Sequence, residues 1–355
     1  MSPQLDRLLK LMVERKASDL HLSVNSPPML RVDEELTAVQ EFPPLNGEMT
    51  RAIAYSILTP EQIAAFERER EMDMSFGVAG LARFRVNIFL QRGSVGVVIR
   101  FLPAVIRDFE GCGLPTHVME ELCRRKKGMV LITGATGSGK STTMASMVEW
   151  INNHHRCHVI TIEDPIEYIY NNKKAVVDQR EVGTDTKSFA NALKHALRED
   201  PNVVLIGEMR DLETIESALT MAETGHLVFA TLHTNDAVQT VNRVIDVFPA
   251  HQQQQVRIQL SFVLLAILAQ QLIPRAAGSG RTLAIEILIS NPAIRALIRE
   301  GKTHQIYSAI QTGQREGMRT MNQSLSELYQ RGDISYDEAV ARSHDAEELT
   351  RLIHK

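Results

Sequence analysis

Residues 134–142, GATGSGKST, combine the residue types that bind phosphate groups. Gly134, Gly139, Lys140 and Ser141 fit the pattern G-x-x-x-x-G-K-[ST] without a mismatch. In this pattern glycines let backbone N–H groups turn toward phosphate oxygens, the lysine offsets phosphate charge, and the serine hydroxyl binds Mg²⁺. The loop therefore predicts a site for ATP and Mg²⁺. The candidate nucleotide-binding residues are Gly134, Ala135, Thr136, Gly137, Ser138, Gly139, Lys140, Ser141 and Thr142.

The segments on both sides of the loop have the character that phosphate binding requires. Residues 129–133 are apolar and mostly β-branched, which is typical of a buried strand. Met144, Met147 and Val148 have the spacing of one face of a helix. The loop thus connects a strand to a helix whose N-terminus adds positive partial charge. The alternative is a glycine-rich turn that binds nothing, and this context argues against it.

The carboxylate of Glu208 follows the apolar stretch NVVLIG at residues 202–207. The segment resembles a Walker B strand, although the usual Asp is absent. Because Glu reaches further than Asp, Glu208 is predicted to orient water bound to Mg²⁺ rather than to contact the ion directly. Ser141 and Glu208 are the candidate metal-site residues. The alternative is an acidic strand end with no role.

Three further carboxylates, Glu163, Asp164 and Glu167, follow the predicted strand 158–162. Pro165 prevents the strand from continuing. One of the three is expected to polarise the attacking water, and spacing alone does not choose among them.

Two histidines, His226 and His233, lie at opposite ends of the predicted strand 227–232. With no cysteine or third ligand nearby they are a weak metal signal. We expect them to form hydrogen bonds to phosphate or water near the site. The alternative is that they are satisfied structural histidines.

The pattern of the chain changes after about residue 102. The earlier part reads as α+β, and a cluster of Pro and Gly follows it. Beyond the cluster, strands alternate with helices, which predicts a mostly parallel sheet. We predict an N-terminal α+β domain at 1–102, a linker at 103–116 and an α/β P-loop ATPase domain at 117–355 with a C-terminal helical region. The predicted N-terminal elements are helices 4–16, 47–57 and 60–70 and strands 18–24, 29–32, 82–91 and 94–103; the later strands are 129–133, 158–162, 203–207, 227–232 and 282–288.

The composition is that of an ordinary globular protein, with 44% hydrophobic residues and a net charge of −4. This charge gives no general attraction to nucleic acid, and we expect no nucleic-acid partner. Three scattered cysteines indicate neither a zinc site nor disulfides, which fits a reducing cytosol. The longest apolar run, at 262–269, is far shorter than the ~20 residues of a spanning helix. We therefore expect a protein that is peripheral to a membrane, not inserted in it.

Four blocks along the chain resemble the secretion ATPases of type II secretion and type IV pili. They are GATGSGKST, TIEDPIEY, VVLIGEMRDLET and AETGHLVFATLHTN, in this order. A further segment, AIRALIRE at 293–300, is similar to a box of the pilus retraction ATPases and departs from it at Ala296, where Asn is usual. The alternatives are an accessory retraction paralogue, a pilus extension or type II secretion ATPase, a RecA-like nucleic-acid motor, and a nucleotide-gated scaffold that does not hydrolyse ATP.

The resemblance implies a PAS-like N-terminal domain, a RecA-like ATPase domain and a homohexamer at the cytoplasmic face of the inner membrane. The implied partners are the platform protein of the pilus and a paralogous retraction ATPase. By matched position, Glu167 is the implied catalytic glutamate, and Arg85 and Arg100 are implied to reach a neighbouring subunit's nucleotide, with Arg83 a third candidate. Glu208, His226 and His233 match the Walker B glutamate and the two family histidines. The alternative for the arginines is solubility on an exposed strand.

Overall fold

The computed structural model describes residues 1–32, 35–102 and 105–354. Its contacts divide the chain into two compact units. The first comprises Met1–Val105 together with Pro165–Ile169, and the second comprises Ile106–Asp164 and Tyr170–Lys355. Pro103, at the start of the predicted linker, and Lys355, at the end of the predicted ATPase domain, lie outside the described residues. The domain limits drawn from the sequence stay a prediction.

The first unit contains an antiparallel sheet of six strands over the described residues, in the order β3-β2-β1-β6-β5-β4. Its strands are β1 (Asp19–Leu22), β2 (Met29–Val32), β3 (Glu35–Ala38), β4 (Glu71–Val78), β5 (Ala82–Gln91) and β6 (Ser94–Leu102). Its helices are α1 (Pro3–Glu14), α2 (Gly47–Tyr55) and α3 (Pro60–Glu69). An α+β first part is therefore confirmed.

The pairing of β5 with β6 follows from local sequence. Alternation along β5 buries Phe84, Val86 and Ile88 on one face. The connecting turn consists of Arg92 and Gly93, both with positive φ (48° and 76°), as a two-residue hairpin turn requires. This turn sets which side chains of the two strands stand opposite each other.

The second unit contains a seven-stranded sheet over the described residues, in the order β13-β12-β7-β11-β10-β8-β9. Neighbouring strands are parallel except β12 and β13, which are antiparallel. The strands are β7 (Gly128–Thr133), β8 (His158–Glu163), β9 (Val176–Glu181), β10 (Val203–Ile206), β11 (Leu227–Leu232), β12 (Leu264–Pro274) and β13 (Arg281–Ile289). The mostly parallel sheet predicted from the sequence is confirmed.

The helices of the second unit begin with α4, and α5 follows β7 after a six-residue loop, 134–139. They are α4 (Thr116–Cys123), α5 (Lys140–His154), α6 (Phe189–Ala196), α7 (Leu212–Glu223), α8 (Ala237–Asp246), α9 (Ala250–Val263), α10 (Pro292–Arg299), α11 (Ile306–Thr312), α12 (Met321–Gln330), α13 (Tyr336–Arg342) and α14 (Ala346–Ile353). Within the described chain, no helix combines the length and apolar character needed to cross a membrane.

One buried carboxylate joins the sheet to two helix N-termini. Glu286 of β13 is 1% exposed, and its Oε1 accepts the backbone N–H of Ala237 at 2.8 Å, at the start of α8. Its Oε2 accepts the backbone N–H of Met321 at 3.4 Å, at the start of α12. Burial raises the pKa of Glu286 to about 7, even though the hydrogen bond from Ala237 opposes the shift.

A second buried carboxylate, Glu348 of α14, fastens the C-terminal helices to one another. Its Oε2 accepts from Nδ2 of Asn322 at 2.6 Å and its Oε1 from Nε2 of Gln311 at 2.7 Å, while the hydroxyl of Tyr307 also donates to it. These donors belong to α12 and α11. The C-terminal helical region is thus held by polar as well as apolar contacts.

Candidate nucleotide-binding site

The phosphate-binding loop leaves the carboxyl end of β7 and enters α5. Gly134, Gly137 and Gly139 have positive φ values of 137°, 79° and 93°, a backbone that side chains with a Cβ rarely adopt. Gly139 precedes the first helical residue, and no side chain of the described chain caps this N-terminus. Its first N–H groups therefore stay available for an anion.

The cradle is too tight for larger residues at its start. A Cβ on Gly134 would lie 2.4 Å from the backbone oxygen of Gln270 and 2.6 Å from Oγ of Ser138. The hydroxyl oxygens of Ser138 and Thr133 are buried and have no hydrogen-bond partner among the described residues. Because buried polar atoms normally have partners, these two hydroxyls suit a phosphate-bearing ligand.

Lys140 is largely buried at the base of the loop. Its Nζ donates to the backbone oxygens of Gly134 at 2.7 Å and Ala135 at 3.0 Å. Ser141, the next residue, is half-buried in the first turn of α5. The Lys140 ammonium is thus held against the phosphate-binding loop itself.

Glu208 lies at the same edge of the sheet, because β10 is parallel to β11 and β11 to β7. Arg210 contacts it with Nε 2.6 Å from Oε1, and Nε2 of His233 lies 3.0 Å from the same oxygen. Burial alone would raise the pKa of Glu208, but the hydrogen bond from Arg210 and the charges of His233 and Arg210 outweigh it. The pKa is therefore below its ordinary value, so Glu208 is an anion at neutral pH.

Gly207 explains how Glu208 reaches this position. A Cβ on Gly207 would lie 3.2 Å from the backbone oxygen of Ile162 and 3.3 Å from Cα of Glu163. The ends of β10 and β8 therefore approach closely where each of them presents a glutamate.

The three carboxylates that follow β8 have different surroundings. Glu163 is 9% exposed, and its Oε1 accepts from Oγ1 of Thr161 at 2.7 Å and from Nε2 of Gln179 at 3.3 Å. Asp164 is exposed, and its charge contributes to the raised pKa of Arg210, after the larger effect of Glu208. Glu167 belongs to the segment Pro165–Ile169 of the first unit, so its role beside the phosphates stays a prediction.

The two histidines flank β11, as the sequence predicts, but only His233 lies at the phosphate-binding edge. His226 precedes Leu227, which pairs with Gly128 at the start of β7, whereas the loop follows Thr133 at its end. Nδ1 of His226 contacts the backbone oxygen of Met221 at 3.0 Å. A whole strand therefore separates His226 from the loop of its own chain, and the expectation that His226 contacts phosphate or water near the site stays a prediction.

The arginines of the first unit stand on the polar face of its sheet. Arg85 of β5 is directly opposite Arg100 of β6. Nε of Arg100 lies 2.8 Å from Oδ1 of the buried Asp19, and Nε of Arg85 lies 4.0 Å from Oδ1 of Asp73. Nη2 of Arg83 donates to Oγ of Ser75 at 2.6 Å. Like charges in register repel each other, so these acidic partners help to hold the pair on one surface.

The donor set fits Mg²⁺ without a dedicated protein cage. Across the described residues, no group of three or more His, Cys, Asp or Glu side chains is arranged to hold a metal ion. Mg²⁺ beside a nucleotide needs one or two protein ligands in addition to phosphate oxygens and water. The Ser141 hydroxyl is the candidate for such a ligand, and Glu208 stays the candidate that orients water bound to the ion.

Sequence reasoning missed Gln270 of β12, whose Nε2 donates to Oγ1 of Thr143 in α5 at 2.7 Å. The only signal was a pair of glutamines inside an otherwise apolar stretch, LLAILAQQLIP.

Comparison with known proteins assigns the chain to a family. Residues 1–341 match the model of the type II/IV secretion system proteins. The chain belongs to this family. Among its relatives in the type II/IV secretion system family, the type IV pilus retraction ATPase PilT of Pseudomonas aeruginosa is 49% identical over 332 residues, which cover 94% of this chain and 96% of that protein. The type IV pilus ATPase PilU of the same organism is 41% identical over 350 residues, 99% of this chain and 91% of that one.

A solved member of the type II/IV secretion system family has the same fold. The crystal structure of the pilus retraction motor PilT with bound ADP superposes with a TM-score of 0.91 and 52% identity, covering 97% of this chain and 98% of that one. The resemblance drawn from the four sequence blocks is confirmed.

Proposed function

We propose that this chain is an ATPase motor that powers the retraction of type IV pili. One observation carries the proposal: the phosphate-binding loop and Glu208 share one edge of a parallel sheet, in a chain 49% identical to a pilus retraction ATPase. The proposal includes ATP as substrate and Mg²⁺ as cofactor.

In the proposed reaction, the loop from Gly134 to Thr142 surrounds the phosphates with backbone N–H groups. Lys140 gives up the carbonyl oxygens of Gly134 and Ala135 and binds phosphate oxygens instead. Bound Mg²⁺ would offset phosphate charge. The Ser141 hydroxyl would hold the ion, and Glu208 would orient water bound to it.

Glu167 is proposed to orient and deprotonate the attacking water. His233 and Arg210 keep Glu208 ionised and fixed in orientation, so that it holds Mg²⁺-bound water instead of accepting a proton. The division gives the two carboxylates separate tasks, one as base and one as metal partner.

The proposed assembly is a homohexamer in which Arg85 and Arg100 of one subunit stabilise charge at a neighbour's nucleotide. Hydrolysis then removes the contacts that hold two subunits together, and the interface shifts as rigid bodies. Repeated around a ring at the cytoplasmic face of the inner membrane, this shift acts on the platform protein and draws pilin out of the fibre. His226, at the opposite edge of the sheet, is proposed to act only through a neighbouring subunit.

A second candidate is an accessory retraction ATPase that works with a paralogue. Two observations favour it: the 41% identity to PilU over 350 residues, and the departure of AIRALIRE from the retraction box at Ala296. The two candidates share all of the proposed chemistry.

The proposal is tested in two steps. Purified protein should release phosphate from MgATP, and Lys140→Ala should reduce the rate by at least about 100-fold, since the lost ammonium leaves phosphate charge uncompensated. A clean deletion should then give cells with many pili and no twitching. Cells without pili would indicate extension instead, and full twitching that disappears only with loss of a paralogue would indicate the accessory role.

A further inference from the structure

Gln270 lies on the strand that adjoins the phosphate-binding loop on the side away from β11. Ala269 of β12 pairs with Thr133, the last residue of β7, so Gln270 comes next to Gly134 at the start of the loop. Its side chain is 1% exposed. A buried glutamine at the end of an apolar strand calls for an explanation, because burying a polar amide is unfavourable unless its atoms are hydrogen-bonded.

The amide nitrogen of this side chain holds the helix that follows the loop. Nε2 of Gln270 donates to Oγ1 of Thr143 at 2.7 Å, and Thr143 is 2% exposed. Thr143 lies in the first turn of α5, together with Lys140 and Ser141. Its own N–H donates to the backbone oxygen of Gly139. A side chain on β12 thereby fixes the helical turn that carries the two main phosphate and metal ligands.

β12 lies close to the loop at both ends of the loop, through backbone at Gly134 and through a side chain at Gly139. The oxygen of Gln270 would be 2.4 Å from a Cβ on Gly134, and Cδ1 of Leu272 would be 3.7 Å from a Cβ on Gly139. Residues two apart in a strand point to the same face, so Gln270 and Leu272 together form the wall on which the loop rests.

The other atom of the amide is an acceptor without a donor. Oε1 of Gln270 is buried and has no hydrogen-bond partner among the described residues, as is also true of Oγ of Ser138 in the loop. Buried acceptors gain most when a donor reaches them. Backbone N–H groups of the loop and water that enters with a nucleotide are donors of this kind.

We propose that Gln270 is a positioning residue for the nucleotide. Its amide N–H fixes α5 through Thr143, and its Oε1 accepts a hydrogen bond from the loop or from water in the nucleotide-bound state. Gln270 does not touch the reacting atoms and acts through the residues that do. The inference rests on the proposed function only in requiring that the loop bind a nucleotide, and pilus retraction does not enter it.

Equilibrium binding of a fluorescent ADP to the full-length protein tests the inference. Gln270→Met keeps the length of the side chain but removes both polar atoms, and ADP affinity should fall by at least about tenfold, the effect of losing one or more buried hydrogen bonds. Gln270→Glu should weaken binding further, because a buried carboxylate repels phosphate. Gln271→Met is the matched control: Gln271 faces the other side of the strand, is half-buried and pairs with Ala284, and its substitution should leave affinity unchanged.

Thr143 provides the same test from the helix side, and serves if Gln270→Met fails to fold. Thr143→Val should weaken ADP binding by a similar factor, and Thr143→Ser, which keeps the hydroxyl, should restore most of it. The double variant Gln270→Met/Thr143→Val should be little worse than Gln270→Met alone, since the hydrogen bond that Thr143→Val removes is already missing in Gln270→Met.

Two results would overturn the inference. One is unchanged ADP affinity in folded Gln270→Met, with only the melting temperature of the nucleotide-free protein lowered, which indicates a purely structural role. The other is full additivity of the two substitutions. If the unsubstituted protein itself binds no ADP, both the nucleotide site and the proposed function are wrong. If the unsubstituted protein binds ADP and Gln270→Met binds it equally well, only this inference is wrong.

Discussion

Nε2 of His233 lies 3.0 Å from Oε1 of Glu208, so the residue that follows β11 holds the carboxylate that follows β10. Arg210 contacts the same carboxylate from its own chain segment. The two cations keep the pKa of Glu208 below its ordinary value against the effect of burial. The charge of Glu208 therefore depends on residues from two loops, and this dependence can be measured.

Replacing His233 by Ala should raise the pKa of Glu208, because it removes a hydrogen bond and a positive neighbour. Activity that needs the Glu208 anion disappears as the pH falls through this pKa. The acid limb of the ATPase rate should therefore lie at higher pH in the variant than in the unsubstituted protein. Steady-state phosphate release across pH checks this.

Glu208→Gln serves as the control for His233→Ala, since it should abolish turnover at every pH. An acid limb at the same pH in His233→Ala and the unsubstituted protein would contradict the coupling of His233 to Glu208.

Glu167→Gln should bind ATP but not hydrolyse it, because an amide cannot accept the proton of the attacking water. Glu163→Gln should keep most of the activity, because the Glu163 carboxylate is already used by Thr161 and Gln179. Nucleotide binding and phosphate release are measured on both proteins. An inactive Glu163→Gln beside an active Glu167→Gln would assign the base to the other carboxylate.

Arg85 and Arg100, paired across β5 and β6, should act on a neighbouring subunit. An Arg85→Ala/Arg100→Ala variant and a Lys140→Ala variant should each be nearly inactive, since charge supplied across an interface contributes about 10³–10⁵ in rate in related phosphoryl transfers. Mixed, the two proteins can form interfaces with an intact loop and an intact arginine pair. Phosphate release should then partly recover.

The mixing experiment needs proof that subunits exchange, for which energy transfer between labelled subunits is suitable. If exchange occurs and no activity returns at any ratio, the arginines act within their own chain or the ring requires every site intact. A covalently linked dimer with both defects on one subunit, compared with one that carries them on separate subunits, distinguishes these cases.

The segment AIRALIRE should be separable from catalysis. Ile294 and Ile298 of α10 are fully buried, while Arg295 and Arg299, four residues apart, are only half-buried on a neighbouring face of the helix. Reversing both charges with Glu should leave the ATPase rate within about twofold, because the core face is kept, and should stop pilus retraction. Phosphate release and twitching are the two readouts.

A matched control for α10 reverses Arg315 and Arg331, which are exposed in the same C-terminal region, and should leave retraction intact. Normal retraction in the Arg295/Arg299 variant would show that the segment AIRALIRE has only a structural role.

Glu286 should make stability depend on pH in an unusual direction. Its pKa is raised from 4.5 to about 7 by burial, so between these values the folded chain keeps a proton that the unfolded chain loses. Stability contributed by this group therefore falls as the pH rises across that interval, by an amount of the order of 3 kcal/mol. Melting temperatures at about pH 5 and about pH 8 should show a drop that Glu286→Gln lacks. An equal drop in both proteins would assign it to other groups.

The sequence predicts those parts of the site that depend on local pattern. The loop from Gly134 to Thr142 is one continuous motif, and the alternation along β5 correctly places Arg85 on the polar face. The order of strands at the loop is not local. β12 is apolar on both faces and shows no alternation that would set it apart from a buried helix, so its place beside β7, and with it Gln270, could not be seen.

The pairing of Arg85 with Arg100 is neither a single local motif nor a matter of strand order. It follows from the two-residue turn at Arg92 and Gly93, which is the gap between the predicted strands 82–91 and 94–103. The distance of His226 from the loop was hidden for a different reason. A strand extends about 3.3 Å per residue, so its two ends lie far apart. Which end lies beside the phosphates depends on the direction of the neighbouring strands.

The two oxygens of Glu286 are shared between two helices, one for the start of α8 and one for the start of α12. Neither helix can slide along its axis without giving up its hydrogen bond to the strand that carries this carboxylate. Because β13 is paired along its whole length with β12, Glu286 connects the starts of α8 and α12 to the strand beside the phosphate-binding loop. We therefore expect a displacement of either helix to be passed in part through this carboxylate to β12.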